Sequence, residues 1–256
     1  MKKLISRKDK ILIAGSKGLA GSAIFRALKN KDYGSSKWGG EILTPSSKDL
    51  NFLNRKDLEH WLKINKPNVV IIAAAKVGGI LANVNEPTEF LLENLKIEIN
   101  LIESSWKAGV RRLLFLGSSC IYPKDSSCPI KEESLMRGEL EKTNENYALA
   151  KIVGIKLCES LRKQYGFDAI SLMPTNLYGP NDNYDDNKSH VLAALIKKFV
   201  NAKRNNEQSI TFWGTGNPRR EILHVDDLGD ACVHALEKWD PDSVESPKDK
   251  NGNKLT

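Results

Sequence analysis

Short apolar runs alternate along most of the chain with longer segments in which apolar residues recur every three or four positions. The short runs, which we predict to be strands, are residues 10–14, 41–44, 69–73, 111–117 and 168–173. The longer segments, which we predict to be helices, are residues 22–30, 55–65, 88–108 and 143–165. This alternation predicts an α/β fold in which right-handed crossover helices join parallel strands.

After residue 173 the alternation loosens. The elements predicted beyond that point are helices over residues 190–202 and 225–238 and strands over residues 210–213 and 219–224. We therefore predict a Rossmann-type, doubly wound parallel sheet in residues 1–180. Residues 181–256 are predicted to form a small substrate-binding domain that is interleaved with this core.

A glycine-rich turn joins the first predicted strand to the first predicted helix. Glycines placed in this way let backbone N–H groups approach a pyrophosphate at the positive end of a helix. The spacing G-x-x-G-x-x-G also occurs in turns with a purely local role, but its place in the first strand–turn–helix unit favours a dinucleotide site. The residues of that predicted site are Gly15, Ser16, Lys17, Gly18, Leu19, Ala20 and Gly21.

The end of the second predicted strand bears on the choice between NAD and NADP. A Rossmann domain that prefers NAD usually carries Asp or Glu there, which binds the ribose 2′-hydroxyl. Here no acid precedes Asp49. The alternative to a cofactor contact is an ordinary polar loop. Hydroxyls and a lysine favour the 2′-phosphate of NADP, so Ser46, Ser47 and Lys48 are predicted to bind the cofactor.

Composition excludes several classes of function. The chain has 256 residues, and no apolar run is long enough to span a bilayer, so we expect no membrane association. The formal net charge is +7, but basic residues are interspersed with acidic ones, which predicts anionic small-molecule ligands and no nucleic acid. The four cysteines lack CxxC spacing and no zinc-type cluster is present. We therefore expect free thiols, no metal and a cytoplasmic location.

The predicted chemistry lies between the fourth strand and the helix that follows it. Tyr147 and Lys151 share a helix face, and a lysine ammonium there would lower the pKa of the phenol for proton exchange with a carbonyl or alcohol. Two further YxxxK matches, at Tyr33 and Tyr184, fall in loop-like segments where this geometry is not expected. Ser118, after the fourth strand, could hydrogen-bond a substrate carbonyl.

Two more side chains each have two interpretations. Cys120 lies two residues after Ser118, so both side chains point the same way if the strand geometry persists. Its thiol is either catalytic or a buried structural group. His190, near a predicted helix start, is either catalytic or a capping or surface residue.

Several segments together carry a family resemblance. They are IAGSKGLAGSAI, AAAKVGGILAN, LLFLGSSCIYP, NENYALAKIVGIKLCES, MPTNLYGPNDN, SHVLAALIKKF and WGTGNPRREILHVDD. The chain resembles the extended short-chain dehydrogenase/reductases and, within them, the GDP-L-fucose synthase branch. That branch epimerises C3 and C5 and reduces C4 of GDP-4-keto-6-deoxy-mannose. GSSCIYP, AAAKVGG and PTNLYGP followed by SHV are specific to it.

The resemblance implies a role for each candidate residue. Tyr147 would donate a proton, with Ser118 and Lys151 completing a triad. Cys120 and His190 would be the acid/base pair of epimerisation. NADP(H) is the implied cofactor, and its contacts beyond the glycine turn and residues 46–48 would be Leu116, Gly117, Ser118, Ser119, Lys151, Pro174, Thr175, Asn176, Leu177 and His190. The GDP-sugar would be bound by Lys198, Trp213 and Arg220, and a homodimer through the two long helices is also implied.

The chain departs from the family in two places. The sequence TPSSKD follows the second strand where the family often has an arginine for the 2′-phosphate. The family also continues for several strands and helices beyond the last residue of this sequence, so we expect an incomplete substrate domain. Two alternatives stay open: another nucleotide-sugar epimerase or dehydratase of the same fold, and an NADP-binding chain without turnover that acts as a subunit partner.

Overall fold

A parallel five-stranded sheet lies at the centre of the structure, a computed structural model that describes residues 4–185, 189–212, 214–217 and 219–243. Its strands are β1 (Lys10–Ala14), β2 (Glu41–Leu43), β3 (Val69–Ile72), β4 (Arg112–Leu116) and β5 (Asp168–Leu172). The order across the sheet is β2-β1-β3-β4-β5, and every pair is parallel. The predicted Rossmann-type α/β fold is confirmed.

Helices cover both faces of this sheet. The α-helices of the described residues are α1 (Leu19–Asn30), α2 (Arg55–Asn65), α3 (Ile80–Asn85), α4 (Pro87–Lys107), α5 (Glu145–Tyr165), α6 (Val191–Arg204) and α7 (Val225–Lys238). Helices α1 and α7 pack together, as do α4 and α5, and α2 packs on α4. Because successive strand residues point to opposite faces, a strand covered on both sides must be apolar throughout.

The two faces of the sheet form two separate hydrophobic clusters. The strand residues that pack with α2, α4 and α5 include Leu12, Val70, Leu113 and Phe115. The strand residues that pack with α1 and α7 include Ile11, Ile13, Val69 and Leu114. Neighbouring residues of one strand therefore belong to different clusters, which explains the continuous apolar runs of the sequence.

The structure differs from the predictions in the second half of the chain. A second sheet pairs β6 (Asn176–Tyr178) with β7 (Ile222–His224) in parallel, and the strand β6 was not predicted. The predicted strand over residues 210–213 is wrong for residues 210–212, which pair with no strand in the part of the chain that the structure describes, and Trp213 lies outside that part. Helix α3, between the β3 loop and α4, was also not predicted.

Helix α5 lies unusually close to the sheet at one point. A Cβ atom added at Gly154 would lie 2.5 Å from Cζ of Phe115 in β4 and 3.1 Å from Oε2 of Glu98 in α4. Real Cβ atoms do not approach other heavy atoms at the shorter of these distances. The missing side chain of Gly154 therefore sets how near α5 can come to both elements.

We expect Gly154→Ala to destabilise the protein by about 1–3 kcal/mol, because the added methyl group overpacks a filled site. This loss outweighs the gain of up to about 1 kcal/mol that alanine brings to a helix interior. Urea unfolding measures the difference. Lys163→Ala, at an exposed position of the same helix, is the control and should change stability by no more than about 0.5 kcal/mol. A Gly154→Ala variant as stable as the unaltered protein would contradict the close packing.

Candidate active site

A wide cleft opens at the carboxyl ends of the parallel strands, with a volume of about 2140 Å³. Ligands of open α/β sheets bind at this edge. The predicted site residues that line it are Gly15, Ser16, Lys17, Gly18, Leu19, Ala20, Ser46, Ser47, Lys48, Gly117, Ser118, Ser119, Cys120, Tyr147, Pro174, Thr175, Asn176, Leu177, His190, Lys198 and Arg220. Three other predicted residues, Gly21, Leu116 and Lys151, are buried beneath its surface.

The turn between β1 and α1 lies against the loop after β3. Gly15 has φ +86°, and a Cβ atom there would lie 2.6 Å from the backbone nitrogen of Ala74. A Cβ atom at Gly21 would lie 2.2 Å from the carbonyl oxygen of Gly15. Helix α1 starts after Gly18 without a side-chain cap and with no acid in its first turn. Free N–H groups at a helix start that carries no acid suit a pyrophosphate.

The loop after β2 brings Lys48 to the same end of the cleft as Lys17 of the glycine turn. The Asp49 carboxylate accepts hydrogen bonds from Ser46 N at 2.9 Å and Ser46 Oγ at 2.5 Å. These bonds lower the pKa of Asp49, and the Lys17 charge lowers it further. The Ser46 hydroxyl is thus already engaged, which leaves Ser47 and the ammonium groups of Lys17 and Lys48 as the groups suited to a phosphate.

The end of β4 and the start of α5 bring three predicted residues together. Tyr147 and Ser118 line the same part of the cleft, and the Ser118 side chain acts to lower the pKa of the Tyr147 phenol. The Tyr147 ring also meets Phe90 edge-on, with centroids 6.5 Å apart. Lys151 lies one turn further along α5, and its ammonium donates to the Leu116 carbonyl oxygen at 3.0 Å. The strand end and the helix face therefore place Ser118 and Tyr147 in the cleft wall and Lys151 behind it.

A carboxylate that was not predicted compensates the Lys151 charge. Glu98 of α4 is fully buried, and its Oε1 lies 2.9 Å from Nζ of Lys151, which is itself 2% exposed. Burial raises the pKa of Glu98, and the Lys151 charge opposes that rise. In the sequence Glu98 resembles a surface residue. Its spacing of four from Asn94, which is also buried in the structure, occurs equally on exposed helix faces, so the sequence carries no signal that identifies Glu98.

The pKa of Tyr147 is raised, so the prediction that Lys151 lowers it is wrong for this structure. Burial is the main cause of the raised pKa, electrostatic interactions with Cys120 and Glu98 add to it, and the Ser118 side chain acts in the opposite direction. The ammonium of Lys151 has little effect on the phenol because Glu98 pairs with it. Tyr147 therefore keeps its proton and is suited to donate it.

The thiol of Cys120 belongs to the cleft wall and not to the core. Its residue lies in a 3₁₀ turn, Ser119–Ile121, directly after β4. The backbone N–H of Cys120 donates to Ser118 Oγ at 3.3 Å, and Sγ accepts a hydrogen bond from Asn144 Nδ2 at 3.3 Å. Sulfur is half-buried there, which fits the interpretation as a reactive group better than that of a structural thiol.

His190 immediately precedes α6 and faces the cleft. Its side chain makes no cap hydrogen bond to the helix, so the capping role is not observed. The Ser189 carbonyl oxygen would lie 2.5 Å from a Cβ atom at Gly79, in the loop after β3. This close approach brings His190 to the cleft from an element remote from Cys120 in the sequence.

The far end of the cleft carries the predicted substrate residues. Lys198 donates to the Thr211 carbonyl oxygen at 3.3 Å, and Arg220 donates to the Arg219 carbonyl oxygen at 2.8 Å. The predicted role of Trp213 falls outside the described residues. Two aromatic residues that were not predicted, Phe199 and Phe212, line the same end with ring centroids 5.5 Å apart.

The other YxxxK matches lie away from this chemistry. Tyr33 is buried, and its hydroxyl donates to Glu237 at 2.9 Å. Tyr184 is exposed and does not line the cleft. Within the ranges that the structure describes, no group of three or more His, Cys, Asp or Glu side chains is arranged to hold a metal ion. No helix in those ranges has the length and apolar character needed to cross a membrane.

Comparisons with known proteins agree with this geometry. Residues 11–249 match the NAD dependent epimerase/dehydratase family. GDP-L-fucose synthase 1 of Arabidopsis thaliana is 49% identical over 91% of this chain and 70% of its own length. GDP-L-fucose synthase of Escherichia coli (strain K12) is 45% identical over 90% of this chain and 70% of its own length.

A solved structure is similar over the same region. It is a GDP-L-fucose synthetase from Naegleria fowleri bound to NADP, which superposes with a TM-score of 0.81 at 27% identity. The match covers 93% of this chain and 76% of that one.

Alkylation of the native protein should separate the cysteines into two classes. Burial raises the pKa of Cys158 and of Cys232 to about 12, so at pH 8 only about one molecule in ten thousand carries either thiolate. We expect iodoacetamide to modify Cys120 and the exposed Cys128 and to spare the two buried thiols until the protein is unfolded. Peptide mass spectrometry measures each site. Modification of Cys120 as slow as that of Cys158 would show that its thiol does not face the cleft.

Proposed function

The chain belongs to the NAD dependent epimerase/dehydratase family, and we propose that it makes GDP-L-fucose by NADPH-dependent epimerisation and reduction of GDP-4-keto-6-deoxy-mannose. The observation that carries this proposal is the cleft wall in which Tyr147, Ser118 and Cys120 stand side by side. Relatives named GDP-L-fucose synthase and the NADP-bound structural neighbour support it.

The chain offers a complete set of groups for NADPH, which would supply the hydride for C4 of the sugar when bound. The glycine turn and the start of α1 would take the pyrophosphate. Lys17 and Lys48, with Ser47, would take the 2′-phosphate in place of the arginine that the family often has. Asp49 does not repel that phosphate from within the cleft, because its carboxylate is turned onto Ser46.

Epimerisation would use the ketone at C4 twice. That carbonyl acidifies the protons at C3 and at C5, so one activating group serves both carbons. Inverting each carbon requires a base on one side and an acid on the other. Cys120, after β4, and His190, before α6, line the cleft from different elements. Thiols and imidazoles both exchange protons near neutral pH, so this pair suits the task.

Reduction would use the proton that Tyr147 retains. Burial keeps the phenol protonated, and Ser118 lines the cleft beside it. When hydride adds to C4, the carbonyl oxygen becomes an alkoxide that needs a proton. Tyr147 is placed in the wall to give it, and Ser118 would hold the carbonyl before transfer. A simple reductase would need neither Cys120 nor His190.

We also propose a homodimer formed through α4 and α5. These helices pack together, and their outer faces carry four large apolar side chains that are 36–46% exposed: Leu92, Ile99, Leu149 and Val153. A shared apolar face on two adjacent helices suits a two-fold interface, in which the same patch meets itself. The cytoplasmic location stays a prediction from the sequence.

Two substitutions should separate the two reactions. We expect Tyr147→Phe to slow NADPH oxidation about 10²–10⁴-fold while C3 and C5 still exchange protons with deuterated water, because only reduction uses the phenol. Cys120→Ser should suppress that exchange. NADPH absorbance and NMR of the sugar measure the two rates. Tyr184→Phe, which alters another YxxxK match outside the cleft, is the control and should leave both rates unchanged.

Assays of proton exchange and NADPH oxidation with the unaltered protein distinguish the proposal from its alternatives. Exchange at C3 and C5 together with net NADPH oxidation supports it. Tightly retained cofactor with sugar conversion but no net oxidation would instead indicate a nucleotide-sugar epimerase or dehydratase. NADPH binding with neither exchange nor oxidation would indicate a binding protein without turnover.

The dimer has its own test. We expect Leu149→Lys to convert the dimer to a monomer, since a charge would be buried at the centre of an apolar two-fold contact. Sedimentation velocity measures the mass of the particle. Ile64→Lys, on the exposed face of α2, is the matched control and should leave the dimer intact. A monomeric unaltered protein would refute the interface.

A further inference from the structure

We propose that Asn144 is a positioning residue for the Cys120 thiol, which it holds in the cleft wall and supports in its thiolate form. Asn144 is not among the residues predicted from the sequence, and it lines the cleft next to Tyr147. The proposal rests on the function proposed above, in which Cys120 exchanges a proton with the substrate.

The side chain of Asn144 does not perform the task usual for its position. Asparagine immediately before a helix normally accepts a hydrogen bond from a backbone N–H of the first turn. Asn144 immediately precedes α5, yet its side chain makes no such cap. Its Nδ2 instead lies 3.3 Å from Sγ of Cys120. The amide therefore contacts the thiol and does not cap the helix.

The backbone of the turn that carries Cys120 is held at the end of β4. Cys120 N–H donates to Ser118 Oγ at 3.3 Å, and Ser119 N–H donates to the Pro174 carbonyl oxygen at 3.0 Å. The 3₁₀ turn is therefore fixed to the strands, and Asn144 approaches it from α5. Because the two contacts come from separate elements, the position of the sulfur depends on both.

An amide suits a group that must alternate between two protonation states. The N–H of Asn144 can donate to a thiolate, and its carbonyl oxygen can accept from a thiol. Asn144 Oδ1 is buried and has no hydrogen-bond partner among the residues that the structure describes. This oxygen can therefore accept a hydrogen bond from the thiol once the side-chain amide has flipped.

The proton balance of the step follows from this arrangement. The Cys120 thiolate removes a proton from the carbon beside the ketone, so a C–H bond breaks and an S–H bond forms. The electron pair of the C–H bond passes into the enolate, and protonated His190 returns a proton to the opposite side of that carbon. Asn144 favours the ionised sulfur before the step and tolerates the neutral one after it.

Several titratable and charged side chains line the same cleft as the thiol. Tyr147 and Glu141 line the cleft on the α5 side, His190 lines it from α6, and Lys76 and Glu93 line it near the loop after β3. In its native form Asn144 adds no charge to this wall. A carboxylate in its place would stand beside the sulfur and oppose the thiolate.

The test compares Asn144→Ala and Asn144→Asp with the unaltered protein by the alkylation rate of Cys120 as a function of pH. We expect iodoacetamide to react about 3- to 10-fold more slowly at neutral pH in Asn144→Ala and more than about 10-fold more slowly in Asn144→Asp. The three alkylation rates should converge at high pH, where the Cys120 thiol is ionised in each of the three proteins. Cys128, which is exposed, provides an internal reference and should react equally in all three.

The aspartate variant separates this role from a structural one. Aspartate caps a helix as well as asparagine does, so a capping role predicts unchanged stability and unchanged thiol reactivity. Equal Cys120 rates in the three proteins would overturn the proposal, and urea unfolding shows whether each variant is folded. Alkylation requires no substrate, so it decides the role of Asn144 even if the proposed sugar chemistry fails. Where that chemistry holds, exchange at C3 and C5 should fall in parallel with alkylation.

Discussion

The positions of the reactive side chains depend on one ion pair buried behind the cleft. Glu98 of α4 and Lys151 of α5 meet at 2.9 Å, and the same ammonium donates to the Leu116 carbonyl oxygen at the end of β4. Removing one member of such a pair costs about 3–5 kcal/mol, because the other charge is left buried alone. Helices α4 and α5 and strand β4 are therefore joined at one point. Gly154 provides the space that this close contact requires.

The register of α5 then determines everything that the helix presents to the cleft. Asn144, Tyr147 and Lys151 are separated by three and four residues, so they lie on one face of the helix. Once Lys151 is fixed, Tyr147 is held beside Ser118 and Asn144 beside Cys120. The Lys151 ammonium acts on the phenol mainly by fixing its position, since Glu98 compensates the ammonium charge.

The sequence was sufficient for the parts of the fold that depend on local periodicity. Strands β1, β3 and β4 are buried on both faces along nearly their whole length, and the helix Arg55–Asn65 has the same bounds in the sequence and in the structure. The sequence was insufficient where the pairing of one strand with another decides whether a strand forms. Strand β6 exists because Ile222–His224 lies alongside it, and residues 210–212, with similar β-forming character, lack a partner.

The same distinction applies to the site. The spacing of Tyr147 and Lys151 is a local property, and so is the glycine turn. Glu98 could not be identified in this way, because a carboxylate four residues from an asparagine is typical of an exposed helix face and only the fold buries it. Asn144 likewise lay within the predicted helix over residues 143–165, where no feature of the sequence distinguished it. The groups that tune the chemistry acquire their roles from neighbours that are distant in the sequence.

The two reactions proposed for the cleft are linked by charge. Cys120 and Tyr147 lie in one half-buried wall, and negative charge on the sulfur raises the pKa of the phenol. A Cys120 thiolate and a Tyr147 phenolate would repel each other at low effective dielectric, so this wall accommodates only one of the two anions at a time. A thiolate at Cys120, which the proposed epimerisation would need, therefore adds to the effect of burial in keeping Tyr147 protonated. While the thiol is ionised, the phenol does not lose the proton that it must donate at C4. The geometry that favours epimerisation therefore also keeps the proton that reduction needs.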